Sequence, residues 1–517
     1  MRVIEFLKRV IRKMMPIKDD LHLELAVSNT MINAINAWAR MYADEPPWKG
    51  GCDNVRTLNL PAVVCEELAR LMMSEAKSTV TAGEQAQYLA KAKLAKTGSA
   101  RDSFLRAAHS VQSGSARADY LNAQYTDMFS DLRNVRDHIE RALALGGVVL
   151  KPFVANGRIE TDFVYANKFA PVSFNSNKEI TSALFADQKT IGRDTYTRLE
   201  YHVLEGTGYS IFNTAYCKHN YTADTMNECC IWSADLGSPC ELSAVPEWAE
   251  ISPKVHIENV NRMLFAYFRP PRANWLDPDS PIGVSVFARA EHAIEEADRQ
   301  FTRILWEYKA TEAAVFADSR LFKLSNKGEP LLPVGMERIY RVLNGDSKNS
   351  EGLASNLKEY APTIRDVSLF NGLNKWLRIV ELQTGLAYGT ISDVNEVEKT
   401  ASEIVASKQR SQSTVSALQS ALEKTLGEYV AAMDTLATLY GLAPEGGYEL
   451  SFEWGDSIVT DTNLEFSQRM QMNAAGLLDG VPVLAWYFGC SEEEAKAMMP
   501  KKSKLFDGRC DQIEEEE

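Results

Sequence analysis

Residues 399–440 read KTASEIVASKQRSQSTVSALQSALEKTLGEYVAAMDTLATLY, a span without a proline. Ile404, Ser411, Val415, Leu418, Leu422, Leu426, Tyr429, Met433 and Leu436 follow one another at the spacing of a single helix face. At 1.5 Å per residue this predicts a rod of roughly 60 Å, long enough to cross a structure larger than one subunit's core. Downstream, Pro444-Glu445-Gly446-Gly447 ends the helix, a short strand follows over Tyr448 to Trp454, and helices are expected at 462–478 and 491–499. Ser491 and Glu494 form a capping box for the last of these.

Upstream, Gly389 and Ser392-Asp393 mark a break, preceded by a helix from Val367 to Leu386. Residues 318–352 are short apolar pieces interrupted by Gly328, Pro330, Pro333, Gly335, Gly345 and Gly352. Before them, Pro281 to Ala317 reads as a helix of roughly 45 Å, with Ser280 as cap and Pro281 in the first turn. Its apolar stripe is Phe287, Ala290, Ile294, Ala297, Phe301, Ile304 and Tyr308; Glu291, Glu295, Asp298, Arg299 and Glu312 lie opposite, an expected solvated face. Residues 146–270 alternate as strands do, with hairpins about Asn156-Gly157 and Glu205-Gly206-Thr207-Gly208. Residues 21–145 are mostly helical up to Gly146-Gly147, and the fold class is α+β.

The chain has 517 residues, 45% of them hydrophobic, and a net charge of −14. This excludes disorder, and no apolar run is long enough for a membrane span. The acidic balance argues against a protein that wraps nucleic acid with Lys and Arg. Eight irregularly spaced cysteines favour a reducing compartment. Residues 1–13 mix Arg2, Lys8, Arg9, Arg12 and Lys13 with Val3, Ile4, Phe6, Leu7, Val10 and Ile11, an amphipathic helix expected to dock on a neighbour rather than a signal peptide. Glu514 to Glu517 read as a solvated charge run.

No phosphate loop, His-Glu-x-x-His, nucleophile elbow or complete Gly-x-Gly-x-x-Gly occurs. Cys217, His219, Cys229, Cys230 and Cys240 have the atoms for zinc but lack Cys-x-x-Cys spacing, so no metal and no cofactor is expected. Glu295-Glu296 and the trio Glu453, Asp456 and Asp461 lack a neighbouring nucleophile and are expected to be solvated or capping groups rather than a catalytic site. A metal-dependent hydrolase or nuclease is the alternative that these carboxylates and thiols leave open, and a non-viral helical scaffold is the one left open by the long helix.

Four stretches, in order, resemble the portal proteins of tailed bacteriophages, in the branch of long-tailed phages and prophages of Gram-positive bacteria. They are NWLDPDSPIGVSVF at 274–287, leading into a helix with Ala290, Ile294 and Asp298; ELQTGLAYGT at 381–390; KTASEI at 399–404; and FEWGDSIVTD at 452–461, followed by a helix ending Ala474-Ala475-Gly476-Leu477. Gly455 stands where an acid is common in the family, and residues 1–270 match only in their helix-then-sheet layout.

The resemblance implies a homo-oligomeric ring of twelve subunits, or thirteen when free, at one capsid vertex, through which double-stranded DNA passes without sequence specificity. It implies a wing from 1–280 (helical to 145, β-rich over 146–270) with 400–460, a stem of 281–317 and 353–386, and a clip at 318–352. Residues 387–399 would form the channel loop and 461–517 the crown. Tyr388, Thr390, Asp393, Asn395, Glu396, Glu398 and Lys399 would face DNA, and Glu291, Glu295, Asp298 and Arg299 would mark the stem face. The implied partners are a terminase, major capsid and scaffolding proteins, and a head-completion or adaptor protein, with no membrane. The implied location is the virion, and the host cytoplasm during assembly. Gly389, Ser392 and Asp393 suggest that the loop is mobile.

Overall fold

The computed structural model describes residues 26–50, 54–74, 76–82, 115–130, 132–219, 236–318, 322–324, 330–331, 340–343, 357–393, 401–454, 462–476, 479–488 and 495–496. The chain begins with α1 (Asn29–Tyr42), α2 (Leu60–Met73), β1 (Lys77–Thr81), α3 (Ala116–Ser130) and α4 (Leu132–Leu145). Ser28 starts α1 by accepting the Met31 N–H on its hydroxyl, and α1 buries Met31, Ile32, Ile35, Trp38 and Met41 at helical spacing. α4 stops at Gly146, whose φ of +88° suits glycine and where the Gly283 carbonyl occupies the place of a Cβ.

Strands follow: β2 (Val148–Ala155), β3 (Arg158–Tyr165), β4 (Phe169–Phe174), β5 (Ile180–Ile191), β6 (Asp194–Glu205), β7 (Gly208–His219), β8 (Ser238–Cys240), β9 (Lys254–Glu258) and β10 (Ala266–Phe268). Both expected hairpins are present: Ala155 pairs with Arg158 across Asn156-Gly157, and Glu205 with Gly208 across Gly206-Thr207. At Asn156 and Gly157 φ is positive at both central positions, as the tight turn requires. One antiparallel sheet runs β10-β2-β3, and a larger one runs β4-β5-β6-β7-β8 with β9 also beside β7.

Val149, Val164, Phe169, Ala183, Phe185 and Phe265 form a small core shared by the two sheets. Beside it lies a buried polar chain. Tyr209 donates to His202 Nδ1 at 2.6 Å, and His202 Nε2 donates to Glu200 at 2.7 Å; Lys151 reaches the same carboxylate at 2.8 Å and Arg198 at 3.4 Å. Burial would raise the Glu200 pKa, but Lys151, His202 and Arg198 hold it well below the usual carboxylate range. Burial lowers the His202 pKa, against the pull of Glu200, and the ring also meets Phe185 and Phe265 edge-on.

A depressed folded pKa means that the unfolded chain takes the proton first. The His202 contribution is therefore complete above its unfolded value near 6.5 and is lost as pH falls through the lower folded value. Urea unfolding at pH 7 and pH 5 is expected to show wild-type stability falling toward the lower pH. His202→Asn should flatten this part of the pH dependence; an equally steep loss in the variant would assign it elsewhere.

The remaining elements are α5 (Glu291–Ala310), β11 (Ala314–Asp318), β12 (Lys323–Leu324), β13 (Pro330–Leu331), β14 (Tyr340–Leu343), β15 (Leu357–Tyr360), α6 (Asp366–Thr384), α7 (Ala401–Leu439), β16 (Glu449–Glu453), α8 (Thr462–Ala474) and α9 (Gly480–Phe488). β11 lies between β14, parallel, and β15, antiparallel, while β16 closes a two-stranded sheet with β1. The fold is mixed helix and sheet. Among the described residues no helix is long and apolar enough to cross a membrane.

Two expectations need correction. Residues 281–287 are not helical: Ile282, Val284, Val286 and Phe287 are buried in the core, and the Val286 N–H bonds the Leu143 carbonyl. Ser280 bonds the Ala26 carbonyl instead of capping a helix, and α5 spans roughly 30 Å, ending before a strand at 314–318. The long helix exists as α7, but its stripe from Ser411 to Leu436 is covered by this chain's own elements, so its length alone does not call for a neighbouring subunit.

Candidate functional site: the paired rods and the turn after them

α5 and α6 pack against each other and meet the rest of the chain very unequally along their length. The first half of α5 is enclosed, burying Ala293, Ile294, Ala297, Asp298 and Gln300; its second half buries only Ile304 and Glu307. Glu307 and Arg365 join the rods at their far end through bonds of 2.9 and 2.7 Å, and this guanidinium holds the Glu307 pKa below the usual carboxylate range. Around this end large apolar side chains stay in water: Leu305, Trp306, Val367 and Phe370, with Ile379 and Leu382 farther along α6. Trp306 is 67% exposed and Val367 71%.

The expected solvated face of α5 is not solvated throughout. Asp298 is 2% exposed and accepts the Trp48 indole N–H and the Leu58 amide, both at 2.9 Å. Glu291 accepts the Trp38 indole N–H at 2.6 Å. Burial raises the pKa of both carboxyls. They are acceptors that fasten α5 to α1 and to residues 48–58, because the N-terminal helical region encloses the start of the rod. Glu295 and Arg299 do pair at the surface, at 2.7 Å across one helical turn.

At the other end α6 finishes at Gly385, in the left-handed region with φ of +86° and with the Thr414 side chain against it. Arg272 donates to the carbonyls of Gln383, Thr384 and Val286, placing a cation at the negative end of the helix. Burial, then the neighbouring Arg289, pull its pKa down to about 10, so it stays charged at neutral pH.

The chain then folds back along α6 instead of departing. Glu381, 1% exposed, accepts the amides of Gly389 at 3.3 Å, Ile391 at 2.7 Å and Ser392 at 2.9 Å, and the Ser392 hydroxyl at 2.8 Å. Asn374 exchanges two bonds with the Asp393 backbone, at 2.8 and 3.1 Å. The Arg378 guanidinium sits 4.5 Å from the centre of the Tyr388 ring. Asn374, Arg378 and Glu381 share a helix face at i, i+4 and i+7.

Of the expected channel-loop residues, Tyr388 lies under Arg378, Thr390 bonds the Ala387 carbonyl, and Asp393 is fixed by its backbone with its side chain exposed. Asn395, Glu396, Glu398 and Lys399 lie outside the described residues. Within residues 387–393 the helix-breaking residues form a turn that is bonded to three α6 side chains. The sequence reading did not single out these three, although they border the stripe of Leu373, Val380 and Thr384 that α6 buries.

The thiol cluster is only partly assembled. Cys217 and Cys240 lie on adjacent strands near one another, and His219 bonds Asp194. Cys229 and Cys230 lie outside the described residues, as do Asp456 and Asp461. A cleft of about 520 Å³ between residues 175–181, 261–271 and α7 carries Lys178, Arg262, Arg269 and Lys424 with Glu179 and Glu428, a mixed lining with an excess of cations. Comparison with the models of known protein families and with curated proteins finds no match to this chain.

Proposed function

We propose that the chain is the subunit of a portal: a ring at one capsid vertex through which double-stranded DNA is packaged and ejected, joining head to tail. The observation that carries this reading is the pair of rods whose far end leaves Leu305, Trp306, Val367 and Phe370 in water. Bare apolar surface on paired helices is what a ring buries between neighbouring copies. The order of elements agrees with the resemblance: rod, short strands, rod, turn, long helix, strand, then short helices. On this reading residues 1–280 and 400–460 are the wing, 281–317 and 353–386 the stem, 318–352 the clip, 387–399 the channel loop and 461–517 the crown.

The chain supplies no motor of its own in this account; a partner terminase provides the energy, while capsid, scaffolding and adaptor proteins contact the ring. The protein works as a conduit and not as an enzyme. A conduit must not bind its cargo tightly, and affinity for DNA grows with each phosphate neutralised. Asp393, Glu396 and Glu398 against Lys399 give the loop a net negative charge that repels the duplex. Replacing the three acids by Lys is expected to leave rings intact but reduce nuclease-protected DNA per capsid, with recovery on added salt as counterions screen the new attraction. Wild-type yields of packaged DNA at every salt concentration would remove these side chains from the DNA path.

A further inference from the structure

A loop that gates a channel can move by itself or be carried by the helix that bears it. Residues 386–393 offer the means to tell which, and the distinction rests on the portal reading above. The Glu381 carboxylate spends all four of its described hydrogen bonds on residues 389–392. Three come from backbone amides, so a buried carboxylate sits inside a turn of converging N–H groups, much as a bound anion sits in a backbone nest.

The other ties are independent of that carboxylate. Asn374 holds both backbone polar groups of Asp393, and Arg378 covers Tyr388 and reaches the Asp393 carbonyl at 3.4 Å. Leu386 is 1% exposed, so the turn is also seated by apolar burial where it leaves the helix. Two polar anchors spaced two turns apart along α6, at Asn374 and Glu381, fix the direction of the returning segment as well as its position.

We infer that Glu381 is the positioning residue for the first part of the channel loop and that residues 386–393 move with α6 as one body. A tilt of the stem helix then displaces the start of the loop directly, with no hinge between them. Ring-wide changes in stem tilt would set the position of every loop together, making channel width a property of the stem.

Hydrogen exchange on the full-length protein tests this. In the wild type the amides of Gly389, Ile391, Ser392 and Asp393 should be protected to a degree similar to the last turns of α6. Glu381→Gln keeps size and one acceptor oxygen but presents an N–H₂ group to donors; it should speed exchange of Ile391 and Ser392 at least tenfold while α6 keeps its protection and rings still assemble. Asn374→Ala should act on Asp393 in the same way and serves if the glutamine variant fails to fold.

Particles carrying Glu381→Gln should hold packaged DNA less firmly than wild type at equal ring yield, a change that a residue serving only stability would not make. Unaltered exchange at 389–392, faster exchange spread along all of α6, or normal DNA retention despite a loosened turn would each overturn the inference. Wild-type protein that makes no ring and supports no packaging would instead sink the portal reading, and the exchange data would still decide whether the turn rides on α6.

Discussion

A chain carrying Trp306→Lys, Val367→Lys and Leu382→Lys is expected to fold and to remain a monomer. The three side chains are 67%, 71% and 56% exposed, so within one subunit their replacement costs little, within about 0.5 kcal/mol each. In a ring each would lie on a rod facing a neighbour. Losing the burial of three large apolar groups removes about 1.5–3 kcal/mol apiece per contact, and Lys adds a charge that must be desolvated there. Light scattering should give the mass of one chain where the wild type gives a closed ring, while circular dichroism and urea unfolding stay near wild type. A ring of wild-type mass from this variant would show that the rods do not form the subunit contact.

The second large effect is inside the subunit. Asp298→Ala is expected to cost about 3 kcal/mol in urea unfolding, because it leaves the half-buried Trp48 indole and Leu58 amide as donors without their acceptor. Asp298→Asn, which keeps one acceptor oxygen, should lose less. Burial already raises the pKa of this carboxyl, so some of its bonding gain is spent on keeping it charged, and the measured cost should fall short of two full hydrogen-bond penalties. A loss under about 0.5 kcal/mol for the alanine variant would mean that water replaces the carboxylate and that the start of α5 is less enclosed than its contacts indicate.

Elements governed by local rules were legible in the sequence. α7 was announced by its unbroken stripe from Ser411 to Leu436, and the hairpin at Asn156-Gly157 by a residue pair that accepts positive φ. What sequence spacing could not supply was partnership across long distances. The pairing of Lys77 with Glu453 joins strands almost four hundred positions apart, and nothing local specifies it. The stretch 281–287 has the cap and proline of a helix start, yet Gly283 and Val286 are claimed by Tyr267 and Leu143, and the α-helix begins at Glu291, ten residues later than the proline suggests.

The same limit hid the site. Glu291 and Asp298 read as solvated because charge is usually exposed, and only the folded N-terminal region brings Trp38 and Trp48 to them. Gly389, Ser392 and Asp393 correctly marked the end of a helix but did not show where the chain goes after it. Their backbone groups are bonded to Glu381 and Asn374, whose role depends on the chain doubling back.

The most direct measurement of the central proposal is electron imaging of the purified full-length protein at micromolar concentration. The portal reading predicts closed rings of twelve or thirteen copies around a central hole, with the α5 and α6 rods of adjacent subunits in contact. A single monomeric species under those conditions, or an open helical filament in place of rings, would contradict it.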